Sequence, residues 1–229
     1  MTRLSILYGP LSRELVWLYS YTLITAWTEV LGAKRITDTS FPLHLDSHSR
    51  PRRYVHIYAV SHLILDISHQ AAARLILSGV FDKFPNLRLL LAHSGGALPA
   101  LSSRLASCID HDPRVASRLK HDARYYLGKL YLDAVTYGPE ELGFVSDVIS
   151  RSEGYASEAS ATKIPNRSIG SKRMLFGTDH PFFPPLSATE KWKSVTENLD
   201  AIATVQGWTE EDKAGVRGGN ASSLFNLKE

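Results

Sequence analysis

Residues Arg173–Pro185 read Arg-Met-Leu-Phe-Gly-Thr-Asp-His-Pro-Phe-Phe-Pro-Pro, and the rest of the chain is understood outward from them. Met174-Leu175-Phe176 is a short apolar run of the kind a buried strand uses. Gly177 and Thr178 follow, then Asp179, then three prolines within five residues, which forbid further strand or helix. A carboxylate set where a buried strand enters a rigid loop is costly unless a cation or strong donors meet it. Asp179 therefore faces a metal or a substrate, or it caps the N–H groups of its own loop as an Asx turn.

The pattern recurs. Leu87–Ala92 is an apolar run that ends in His93 and the turn Ser94-Gly95-Gly96. Phe41-Pro42-Leu43 ends in His44, and Leu130-Tyr131-Leu132 ends in Asp133. Helical patterns separate these runs. Residues 69–77 are rich in helix formers and stop at Gly79. Leu98, Leu101, Leu105 and Ile109 recur at helical spacing, and 115–126 reads as a second, basic helix. Pro139-Glu140-Glu141 opens a helix well, with proline in the first turn and acids at the positive end of the dipole. Residues 189–205 place Trp192, Val195, Leu199 and Ile202 on one side, and Thr209-Glu210-Glu211-Asp212 has the form of a capping start. Short strands that end in His or Asp, alternating with helices, are the habit of a (β/α) barrel, whose chemistry gathers at the C-terminal strand ends. Two His and one Asp there suit zinc or manganese.

Composition narrows the class. The chain has 229 residues, 44% of them hydrophobic and 21% charged, which fits one globular domain. A net charge of +3 without a basic run gives no reason to expect a nucleic-acid partner. The apolar stretch 15–28 is interrupted by Ser and Thr and is shorter than the roughly 20 residues of a membrane span, so no membrane role is expected. Cys108 is the lone cysteine, which excludes an internal disulfide and makes the reducing cytosol the simplest location.

Taken together, Gly79–Pro85, Ala92–Gly96, Tyr131–Ala134, Phe176–Phe182 and the ending Gly218-Gly219-Asn220-Ala221 through Leu224-Phe225 resemble the amidohydrolase-related decarboxylases. This is the family of aminocarboxymuconate-semialdehyde decarboxylase, and the resemblance is nearest to its fungal 6-methylsalicylate and 5-carboxyuracil members. It covers about residues 40–229. The resemblance implies a TIM barrel, one divalent metal (usually zinc, with manganese possible), no organic cofactor, and loss of CO₂ from a small aromatic or heteroaromatic carboxylate. On that footing His44 and Asp179 correspond to metal ligands. His93 and Asp179 correspond to the catalytic pair. Arg104, eleven residues past His93, matches an arginine that reaches a neighbouring subunit's substrate, which implies a homodimer. His180 and Phe182 would line the substrate pocket.

The chain departs from the family's pattern, and Leu45 stands where the family often has proline after the strand-end His. The family's first strand carries a His-x-His pair, and no His precedes His44 here. The expected architecture is therefore α/β, a partial TIM (β/α) barrel of about four C-terminal βα units over residues 37–229. Residues 1–36 form a divergent leader, with one helix expected over 14–31. Residues 151–170, rich in Ser, Ala and Gly, are expected to be a flexible insertion on the face opposite the chemistry. Two other functions fit the same residues: a metal-dependent hydrolase of the same superfamily, and an inactive remnant.

Overall fold

The computed structural model describes residues 69–156, 165–180 and 184–227 in full, and the backbone of Leu15–Leu18. The strand expected at 41–44, with His44, and Phe182 lie outside the described residues. Four strands form one sheet in the order β1-β2-β3-β4: β1 Leu15–Leu18, β2 Arg88–Leu91, β3 Leu130–Asp133 and β4 Met174–Leu175. Every pairing is parallel, with Leu18 opposite Leu91, Leu91 opposite Leu132, and Asp133 opposite Leu175.

At Leu15–Leu18, β1 replaces the helix expected over 14–31; the rest of that span lies outside the described residues. Leu15-Val16-Trp17-Leu18 is a β-branched and aromatic run, and it pairs along its whole length with β2. Backbone pairing with β2 is a tertiary interaction that the run's own residues do not reveal.

Helices separate the strands. The described part of α1 covers residues 69–77, and α2 is Val80–Lys83. Between β2 and β3 lie α3 Leu98–Asp110, α4 Pro113–Ala116 and α5 Ala123–Leu127. The single helix expected over 115–126 is thus two. The Asp112 side chain accepts from the N–H of Arg114, and that of Asp122 from the N–H of Arg124, so each aspartate starts a helix of its own. Between β3 and β4 come α6 Pro139–Ser150 and α7 Arg167–Ser171. The ends of the 151–170 stretch are built structure: Ser152–Tyr155 is a 3₁₀ turn, and Asn166 caps α7.

Strand periodicity sorts the two faces. Leu89, Leu91, Leu130, Leu132 and Met174 join the main core with Leu98, Tyr126, Leu142 and Ile202 from the helices. Leu90, Tyr131 and Leu175 point to the other face, where Leu224 and Ala221 of α10, Asn220–Phe225, cover them. α8, Lys193–Thr204, buries Ile202 of the expected stripe together with Ser194, Asn198 and Ala201, while Val195 and Leu199 are half-buried and Trp192 sits half-buried ahead of its first turn. α9, Glu210–Ala214, opens with the expected capping box between Thr209 and Asp212. Among the described residues no helix is long and apolar enough to cross a membrane.

The C-terminal motif secures β4. The Asn220 side-chain amide donates to the carbonyls of Ser171, at 2.9 Å, and Met174, at 2.7 Å. The N–H of Phe176 donates to the Val216 carbonyl at 2.8 Å. Asn220→Ala leaves two carbonyls beside the buried Met174 without their donor. The expected loss is about 2 kcal/mol, measured by urea unfolding.

Candidate active site

Because all four strands are parallel, their C-terminal ends lie along one edge of the sheet, and the residues that follow them meet there. Gly177 makes the meeting possible. A Cβ at position 177 would lie 2.5 Å from a methyl carbon of Val135 and 3.1 Å from the Asp133 Cβ. Any side chain here would force the exit of β4 away from that of β3, and Asp179 with it.

His93 follows β2, and its Nε2 lies 3.4 Å from Oδ1 of Asp179. Tyr137, in the loop between β3 and α6, donates its hydroxyl to Oδ2 of the same carboxylate. Asp133 closes β3 and is 8% exposed. Its Oδ1 accepts the N–H groups of Ser94, at 2.9 Å, and Val135, at 3.2 Å. The Ser94 hydroxyl donates to the Asp133 carbonyl at 2.7 Å. Asp133 thereby clamps the turn that carries His93.

That turn is strained. His93, Ser94, Tyr137 and Asp179 have φ of 54°, 51°, 63° and 53°, and they are four of the five non-glycine residues with positive φ among the described residues. Each such conformation costs on the order of 1 kcal/mol, and such costs cluster where geometry matters for function. Gly95 and Gly96 continue the turn at positive φ without a Cβ to oppose it.

The charges are tuned as well. Burial opposes the charged form of His93, but its hydrogen bond to Asp179 and the nearby charges of Asp133 and Asp179 outweigh this and raise its pKa. Burial also opposes ionisation of Asp179, yet donation from His93 and Tyr137 holds it below the usual carboxylate range. Burial, then the bond to Asp179, keeps the Tyr137 phenol protonated far above its ordinary range. Burial pushes Asp133 up to about 6, against the donors from Ser94 and Val135 and the charge of His93. The result is an imidazole biased toward its charged form beside a carboxylate biased toward its own. Nδ1 of His93 is buried and has no hydrogen-bond partner among the described residues.

Of the residues marked from sequence, the structure brings His93 and Asp179 together. His180 is exposed, with its ring 4.7 Å from that of Trp192. Arg104 is exposed on α3 and forms no ion pair with any described residue. Among the described residues no group of three or more His, Cys, Asp or Glu is gathered around one point. Sequence reasoning missed Tyr137, Ser94 and Asn198. Tyr137 sits four residues past a strand end, a weak signal. Asn198, inside a helical pattern, carried none.

A model of the family described as Amidohydrolase (Amidohydro_2) matches residues 44–227. The chain is 27% identical over 158 residues to 2-amino-3-carboxymuconate-6-semialdehyde decarboxylase of Dictyostelium discoideum, covering 69% of this chain and 36% of that protein. It is 30% identical over 168 residues to gamma-resorcylate decarboxylase of a Polaromonas species, covering 68% of this chain and 39% of that one. The crystal structure of Metarhizium anisopliae IDCase in apo form superposes with a TM-score of 0.65 at 29% identity, over 95% of this chain and 57% of that one. The chain spans less than two thirds of the length of each of these relatives.

Two outcomes are expected. Asp179→Asn removes the negative charge that strengthens the bond to His93 and leaves its burial, so the His93 midpoint falls, read from the imidazole C–H resonances by NMR. Asp133 has a folded pKa of about 6, above its unfolded 3.8. Its contribution to stability is therefore full below pH about 4 and is lost as pH rises through about 6. Relative to Asp133→Asn, the wild type should lose on the order of 2 kcal/mol of unfolding free energy between pH 4 and 7, measured by denaturant titration.

Proposed function

The chain belongs to the amidohydrolase family, and we propose that it serves as a metal-dependent non-oxidative decarboxylase of a small aromatic or heteroaromatic carboxylate. The pairing of His93 with Asp179 at the C-terminal strand edge carries this reading. Support comes from the names of the relatives, which are decarboxylases, and from the chemistry of the pair.

Carboxylate and imidazole are donors that suit Zn²⁺ or Mn²⁺, and Asp179 is the described residue that would hold the ion. His44, outside the described residues, is the second ligand by sequence. When bound, such an ion would act as Lewis acid and template for the substrate's carboxylate and adjacent oxygen. The chain's own residues move the proton. Cleavage of the bond to the carboxyl group releases CO₂ and leaves its electron pair on the ring carbon. That carbon takes a proton from His93, and the imidazole recovers one from water. Asp179, held below the ordinary carboxylate range, is ionised and carries no proton to give, so it supports the charge of His93.

His180, whose ring is tilted against that of Trp192, and Phe182 would wall the pocket. Arg104, exposed on α3, would meet a substrate carboxylate only from a neighbouring subunit, in a homodimer.

The test loads the chain with Zn²⁺ or Mn²⁺ and follows CO₂ release from a panel of hydroxybenzoates and carboxypyrimidines. About one ion per chain and measurable CO₂ are expected. His93→Ala should keep the ion and lose roughly 10²–10⁴-fold in kcat. Asp179→Ala should lose both ion and turnover. Hydrolysis of lactones or amides without CO₂ would replace the reading with a hydrolase, and a wild-type chain that takes up no ion would overturn it.

A further inference from the structure

We propose that Tyr137 is a positioning residue: its phenol, held in place through its own backbone by Asn198, sets the orientation of the Asp179 carboxylate. The proposal rests on the reading of Asp179 as the working carboxylate of the site.

A carboxylate on a short side chain rotates freely unless both of its oxygens are engaged. His93 faces Oδ1 of Asp179, and the Tyr137 hydroxyl donates to Oδ2. Two donors from two different loops fix the plane of the group, and each oxygen keeps a lone pair for a further partner. The identity of the second donor matters. An Arg or Lys in this position would cancel the charge of Asp179. A phenol is neutral, so it orients the carboxylate and leaves the negative charge available to a cation or to His93. Phenylalanine would leave Oδ2 without its donor, in a side chain that is only 8% exposed.

The placement of the phenol is itself enforced. Tyr137 stands at a φ of 63°, which a bulky side chain rarely adopts. Its N–H donates to Oδ1 of Asn198 at 3.0 Å. Asn198 lies on α8 with 0% exposure, and its amide nitrogen donates to the Ser194 carbonyl at 2.8 Å. With one end of the amide bonded to its own helix, the other can only present its oxygen to the β3–α6 loop. The Thr136 hydroxyl donates to the Gly138 carbonyl at 2.9 Å, which closes the loop around Tyr137. A buried asparagine contributes little to apolar packing. Here it links a core helix, through a strained backbone, to the one carboxylate that bridges the site.

Two measurements decide the matter. The first needs neither metal nor substrate. Tyrosine is labelled with ¹³C at Cζ, whose shift reports the hydrogen bond of the phenol. Of the ten tyrosine lines, the one absent in Tyr137→Phe should move in Asp179→Asn, while the others stay. An unmoved line overturns the proposal. The second compares Tyr137→Phe with wild type for Mn²⁺ affinity and for kcat and KM. A 10–100-fold loss in metal affinity or kcat is expected, with KM close to wild type. Wild-type affinity and kcat in the variant overturn the proposal. A wild-type chain without metal or CO₂ release would remove the decarboxylase reading alone, and the ¹³C line would still decide the role of Tyr137.

Discussion

One carboxylate joins three loops. Asp179 leaves β4, meets His93 from the end of β2, and takes the hydroxyl of Tyr137 from the loop after β3. Those loops are up to 86 residues apart in sequence, from 93 to 179, and nothing local would bring them together. The parallel sheet does so by aligning the strand ends, and Gly177 does so by removing the Cβ that would hold β4 away from Val135 and Asp133. The arrangement is not relaxed. Four residues of the cluster sit at positive φ, a cost that only surrounding structure can sustain. Asp133 sustains it beneath Ser94, and Asn198 beneath Tyr137.

The two aspartates of the site show how environment separates identical side chains. Asp133 is buried, and burial dominates, so its pKa rises to about 6 even though backbone N–H groups donate to it. Asp179 is also buried, but it receives a phenol and an imidazole, and the balance tips the other way. One carboxylate serves as a clamp under the His93 turn, and the other stays charged at the point where three loops converge. Pairs of titratable groups driven apart in this way are how a site assigns distinct roles to the same chemistry. His93 draws from both, since each carboxylate favours its charged form.

Much of this was visible in the chain before any coordinates. The runs ending in His93, Asp133 and Asp179 became consecutive parallel strands because apolar periodicity and the Gly and Pro punctuation after each run are local properties. The capping box at Thr209 and the stop at Gly79 are local in the same sense. Three features were not visible. Leu15–Leu18 reads as part of a helix, yet it pairs with β2, because strand pairing is a tertiary fact. Residues 113–127 form two helices, because two aspartates compete to start one. α8 is turned so that Ser194 and Asn198 face inward, since the N–H of Tyr137 needs an acceptor there.

The sequence by itself settled that strands lead into His93 and Asp179, that helices separate them, and that these residue types suit acid–base or metal chemistry. Each of those statements depends on neighbours within a few positions. Only the tertiary structure decided which oxygen of Asp179 meets which partner, that Tyr137 is among them, and that a buried asparagine on α8 supports it. Contacts between loops depend on how strands align and on where a missing Cβ lets them approach, and no stretch of chain records that alone.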